Sequence, residues 1–194
     1  MSSPAAPAAF RGALEGVKVL DLSSVVLGPL ASQMLADMGA DVIKVEAPQG
    51  DLARSVGPAR HQGMSSLYLA CNRNKRSLVL DLKQPAARAV LDTLVRGSDV
   101  LVHSVRADAA ARIGLAPERL QALNPRLVSA HVKGFGDDGP YAGLPAFDDI
   151  IQAASGLAQL QSIYTGEPRY MPALVADKTT ALYAAYAIVA ALFH

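Results

Sequence analysis

Residues 16–46, GVKVLDLSSVVLGPLASQMLADMGADVIKVE, decide the fold of this chain. Gly16 to Leu22 is a short apolar run rich in Val and Leu, the pattern of a buried strand. Gly28-Pro29 opens a helix, with proline in the first turn, where no helical hydrogen bond is lost. Ala31, Met34, Leu35 and Met38 give that helix an apolar stripe, and Gly39 ends it. Asp41 to Glu46 is a second strand. Strand, helix and strand within about 30 residues make a βαβ unit, whose strands lie parallel.

Working outward, the same alternation continues. Ala47 to Ser65 carries three glycines and two prolines and reads as a loop, long enough to be functional. Strands are expected at Ser77–Leu82, Asp99–His103 and Leu127–Val132, and helices at Pro85–Val95, Ala107–Arg112 and Pro117–Leu123. A Gly/Pro-rich loop, Gly134–Pro145, precedes a helix from Phe147 to Leu160. A last helix begins around Asp177. The fold class is therefore α/β: a Rossmann-like open, mostly parallel sheet with flanking helices. Ligands in such sheets lie at the carboxyl ends of the strands, here the loops after Leu22, Glu46 and His103.

The chain has 194 residues, 51% hydrophobic, enough for a real core in one domain. Residues 1–13 form an Ala/Pro tail expected to be flexible, and residues 14–194 the folded part. The net charge of +1 offers no electrostatic footprint for nucleic acid or an anionic membrane surface. A single cysteine, Cys71, allows no intrachain disulfide and fits a reducing, cytoplasmic setting. The tail lacks the apolar core of a signal peptide. Ala181 to Phe193 is apolar but shorter than a bilayer span, so it reads as a buried helix rather than a membrane segment. It reaches His194 without a stop signal, and a helix apolar on every side needs cover from other protein. The expectation is that the polypeptide continues, or that a partner covers it.

Few residues stand out chemically. The first strand–helix loop, Ser23 to Pro29, has one glycine where a dinucleotide fingerprint wants three, so a nicotinamide cofactor is disfavoured although Glu46 closes the second strand. Asn72-Arg73-Asn74-Lys75-Arg76 is the densest basic run. It reads either as a solvated charge run or as a phosphate-binding cluster joined by Arg54, Arg60 and Lys83. Asp148 and Asp149 suit helix capping. Asp177 suits an N-cap, or, between the apolar flanks Leu174-Val175-Ala176 and Ala181-Leu182, a partly desolvated carboxylate of raised basicity. The four histidines are scattered without ligand spacing, so no metal site is expected.

In this order the segments resemble the class III coenzyme A transferases, a family that includes formyl-CoA transferases and alpha-methylacyl-CoA racemases. The resemblance rests on residues 14–46, NRNKRSLVLDLK from Asn72, Arg112 to Leu115, residues 123–156 and residues 172–194. It implies coenzyme A and acyl-CoA as substrates with a carboxylic acid partner, no prosthetic group, and an interlocked homodimer of chains about twice this length. By motif, Asp177 takes the place of the family's catalytic aspartate, which carries the acyl group. Coenzyme A contacts map onto Val25, Val26, Ala47, Leu80 and Lys83, with Arg112 at the nucleotide phosphate and Lys75 and Arg76 as further candidates. Ser104 stands where the family often has asparagine. A glycine-rich loop that covers the formyl-CoA transferase site would lie beyond His194. Racemases carry a histidine directly before the acid that matches Asp148; here it is Phe147, which moves no proton and favours transfer over racemisation. An inactive fragment that only binds coenzyme A, or only dimerises, remains the third reading.

Overall fold

The structure, a computed structural model, describes residues 12–194. The tail expected at residues 1–13 lies outside the described residues except for its last two. Of these, Gly12 approaches so closely that a Cβ there would sit 2.2 Å from the Met38 carbonyl oxygen.

Five strands form one sheet: β1 (Lys18–Leu22), β2 (Asp41–Glu46), β3 (Lys75–Val79), β4 (Val100–His103) and β5 (Val128–His131). Their order is β3-β2-β1-β4-β5 and every pairing is parallel. This is the doubly wound arrangement, with its reversal of strand order between β1 and β4. Alternate residues face opposite layers. Val19, Val42, Val100 and Val102 pack beneath α1 (Leu27–Asp37) and α9 (Val175–Leu192). Leu20, Leu22, Val45 and Leu101 pack beneath α3 (Pro85–Arg96), α4 (Ala107–Ile113) and α5 (Pro117–Leu123).

Three elements depart from the sequence reading. The third strand starts at Lys75 rather than Ser77, because the charge at its head is buried rather than solvated. Residues left unassigned form α2 (Ser66–Asn72), capped by the Ser65 hydroxyl, which accepts from the Tyr68 amide at 3.1 Å. The helix expected over 147–160 is α6 (Asp148–Ala154) and then α7 (Leu157–Leu160), broken at Gly156, where φ is +81°. A short α8 (Ser162–Thr165) follows.

The last helix is buried on one face only. Ala181, Ala185 and Ile188 press into the core, whereas Leu182, Tyr183 and Tyr186 are exposed. Among the described residues α9 is also the one helix long and apolar enough to cross a membrane. Here its buried face belongs to the core under the sheet.

Candidate active site

The crevice opens where the strand order reverses. Loop 23–26 after β1 and loop 104–106 after β4 meet there, and the Ser24 amide donates to the Ser104 hydroxyl at 3.1 Å. The first loop is tight: a Cβ on Gly28 would sit 2.3 Å from the Ser23 Cβ, so only glycine admits this approach. Within it Val25 holds φ at +69°, a left-handed conformation rarely adopted by a β-branched residue.

An apolar slot of about 270 Å³ lies on one side of this loop. Ala47, Leu80 and Lys83, three of the expected coenzyme A contacts, line it together with Ser24. Ser24 also borders a second cavity, of about 330 Å³, which contains Val25, Val26, Ser104 and Asp177. A third, of about 410 Å³, reaches Asp177 from the side of Phe147, Asp148 and Tyr170. Six expected contacts and the expected nucleophile thus border one run of linked cavities.

Asp177 lies in the first turn of α9, past the N-cap residue Leu174. No hydrogen bond reaches its carboxylate from the described residues. Burial, and then the negative charge of Asp148, push its pKa up to about 6 from an ordinary 3.8. Asp148 is buried, and its Oδ1 accepts from the Asp177 backbone amide at 2.9 Å. Its Oδ2 accepts from Gln152 Nε2 at 2.6 Å, and Gln152 Oε1 in turn accepts from the Met171 amide at 2.8 Å. Asp148 was read as a cap of its own helix; its carboxylate instead satisfies a first-turn amide of α9.

The structure does not bring Lys75, Arg76 or Arg112 to these cavities. The Lys75 ammonium is buried, donating to Asp21 Oδ2 at 2.8 Å, to the Pro29 carbonyl at 2.7 Å and to Asn72 Oδ1 at 2.9 Å. Arg76 pairs with Asp41 at 2.6 Å, at the amino end of β2 and so at the wrong edge of the sheet. Arg73 pairs with Asp37. Lys75 is therefore spent on a buried acid, and Arg73 and Arg76 form exposed surface pairs away from the cavities. Arg112 is exposed and pairs with Asp108 at 3.3 Å, while its neighbour Ile113 lines the slot.

Sequence reasoning missed a second set of charges. Asp21 and Lys44, register neighbours on β1 and β2, are buried under the first loop. Lys44 pairs with the buried Asp51 at 2.8 Å and donates to the Ser23 carbonyl at 2.9 Å. Asp21 accepts from the amide and hydroxyl of Ser23 and, at 2.7 Å, from the Ser32 hydroxyl. Burial alone would raise the Asp21 pKa, but Lys75 and Lys44 outweigh it and hold it low. Asp21 and Lys44, charged residues within the apolar runs GVKVLDL and DVIKVE, were the available signal, since an unpaired charge does not survive in a buried strand. Glu46 is likewise consumed internally. Arg54, the Asp51 amide and the Tyr68 hydroxyl donate to it, overcoming burial and bringing its pKa down to about 2. It is therefore already engaged, which agrees with the lack of a dinucleotide fingerprint. Finally, two of the histidines read as scattered are stacked: His103 and His131 lie 4.3 Å apart at the ends of β4 and β5. Burial, and then His131, hold the His103 pKa down at about 4.

A doubly wound sheet with an apolar slot and a raised-pKa carboxylate at its switch point has the layout of an α/β ligand-binding crevice. Comparison with known proteins narrows the class: the chain belongs to CoA-transferase family III, whose pattern matches residues 14–194. It is 44% identical over 188 residues to a succinate–glutarate CoA-transferase of Agrobacterium fabrum, covering 93% of this chain and 47% of that protein. It is 41% identical over 184 residues to a formyl-CoA:oxalate CoA-transferase of Streptomyces avermitilis, covering 94% and 44% respectively. The crystal structure of a CAIB/BAIF family protein from Brucella suis superposes with a TM-score of 0.89 at 37% identity, covering 95% of this chain and 50% of that one. The chain thus spans about half the length of the curated relatives it matches.

Proposed function

We propose that this chain supplies the coenzyme A crevice and the nucleophile of an enzyme that moves coenzyme A between an acyl-CoA and a carboxylic acid. The observation that carries the reading is Asp177, a half-buried carboxylate without a hydrogen-bond donor, at the meeting of two cavities. Its pKa of about 6 leaves it ionised at neutral pH yet more basic than an ordinary aspartate, which is the compromise a nucleophile needs.

Asp177 attacks the thioester carbonyl to give an aspartyl–acyl anhydride, and the electron pair of the broken C–S bond leaves with the coenzyme A thiolate. The thiolate attacks the aspartyl carbonyl, releasing the first acid as its carboxylate and leaving an aspartyl thioester. The incoming carboxylate attacks that thioester, forming a new anhydride and expelling the thiolate again. Attack of the thiolate on the new acyl carbonyl yields the new acyl-CoA and restores Asp177. Each step exchanges one acyl bond for another, which is the advantage of covalent catalysis. The apolar slot bordered by Leu80 and Lys83 suits the nucleotide end of coenzyme A, and Ser24 and Val25 lie between it and Asp177. Phe147, the residue at the position of a second base, supports transfer rather than racemisation. A cytoplasmic homodimer of longer chains is the assembly this reading implies.

Incubating the native polypeptide with acyl-CoA and then hydroxylamine or borohydride should label Asp177, found by peptide mapping. Label on another residue, or undiminished turnover in Asp177→Ala, would refute the assignment.

A further inference from the structure

The loop between the slot and Asp177 is held from below by charges that line neither the second cavity nor the third. Asp51 Oδ1 accepts from the Val25 amide at 3.0 Å and from the Ala53 amide at 2.9 Å. Its other oxygen pairs with Lys44, and both side chains are 1% exposed. Lys44 also donates to the Ser23 carbonyl. Burying such a pair is expensive, and an apolar pair of similar volume is commonly as stable. The arrangement is therefore poorly explained by stability alone. Its hydrogen bonds go to the backbone of a loop whose Val25 is held at φ +69°. A valine left to itself leaves that region, which is sterically disfavoured for a β-branched residue.

We infer that Asp51, braced by Lys44, is a positioning residue for coenzyme A. It fixes the Val25 amide inward, and so keeps the Ser24–Val26 backbone in the shape that separates the nucleotide slot from the Asp177 cavity. Releasing the amide lets the loop relax into a form that no longer fits the ligand. The inference rests on the function proposed above and adds to it a buried group in the wall of the slot, outside the two cavities that reach Asp177.

Two double variants isolate the positioning from the ion pair. Lys44→Met with Asp51→Asn removes both charges but keeps an oxygen that accepts from the Val25 amide. Lys44→Met with Asp51→Ala removes both charges and the acceptor. Coenzyme A affinity by titration calorimetry, with melting temperature measured alongside, is the readout. The Asn double should bind within about threefold of the parent, whereas the Ala double should lose about tenfold or more, the equivalent of the strain it releases. Equal affinity in the two doubles, with both folded, overturns the positioning role. So does an affinity loss in the Asn double as large as in the Ala double. A parent chain that binds no coenzyme A overturns the functional reading itself, and this inference with it.

Discussion

Replacing Asp177 by Asn should make the protein more stable at neutral pH, even as it removes the proposed nucleophile. The carboxyl has a folded pKa of about 6 against an ordinary value of 3.8. The folded state therefore holds a proton that the unfolded state has released between those values. Stability falls as pH rises through that window, and the full penalty is present above it. Roughly two units, at about 1.4 kcal/mol each, correspond to about 3 kcal/mol. The group is only half-buried, and its first-turn position favours negative charge by about 0.3–1 kcal/mol, so we discount the figure to about 1–2 kcal/mol. Asn is nearly isosteric and cannot ionise, so Asp177→Asn escapes the penalty. Urea denaturation of both proteins from pH 3.5 to 8 reads it directly. The variant should exceed the parent by about 1–2 kcal/mol at pH 8, a rise of roughly 2–8 °C in Tm, and match it near pH 3.5. Carboxylates other than Asp148, which feels the Asp177 charge, titrate equally in both proteins and cancel in the difference. A variant less stable than the parent at pH 8, or a difference independent of pH, would refute the claim that Asp177 is held ionised against its surroundings.

Two further outcomes test the crevice. Asp148→Asn removes the like charge behind the nucleophile, so the acidic limb of kcat/KM against pH should move to lower pH; an unmoved limb would leave burial as the sole cause of the raised pKa. Lys83→Ala should raise the apparent constant for coenzyme A about tenfold with little change in kcat, as expected for one charge-assisted contact to a phosphate.

The order of elements was legible because each rests on a local pattern. The βαβ unit of residues 16–46 was read with the correct strand ends at Leu22 and Glu46, and its parallel pairing follows from the length of the crossover. What failed was the reading of charge. Arg73 and Arg76 are exposed, as a solvated run would be, but Lys75 in their midst is buried, which five polar residues in a row do not suggest. The fate of Lys75 and Arg76 depends on Asp21 and Asp41, which are 54 and 35 positions distant in sequence. Only the sheet register brings them together. Likewise Asp148 was judged by its own helix, although its partner, the Asp177 amide, is 29 residues further on. Asp177 itself was singled out by its place in the family's motif and by its apolar flanks, whereas its raised pKa comes from burial and from Asp148, which only the fold supplies. Arg112 was placed by motif alone, and the structure leaves it outside the cavities.

Two opposing fields meet at Asp177, and their balance bears on how the proposed reaction proceeds. The second cavity is bordered by Val26 and Leu27, where α1 begins, and by Ala176 and Asp177, where α9 begins. Two helix amino termini therefore face one space, and each favours negative charge there by about 0.3–1 kcal/mol. The Asp177 pKa nonetheless rises, through burial and then the charge of Asp148. The nucleophile thus begins as a charge in an unfavourable place. Forming the anhydride or the thioester neutralises that carboxyl and relieves its repulsion from Asp148. Interactions that improve as the reaction advances lower the barrier, whereas those that favour the resting carboxylate do not. In the reaction proposed for Asp177, Asp148 would therefore assist by opposing the resting carboxylate.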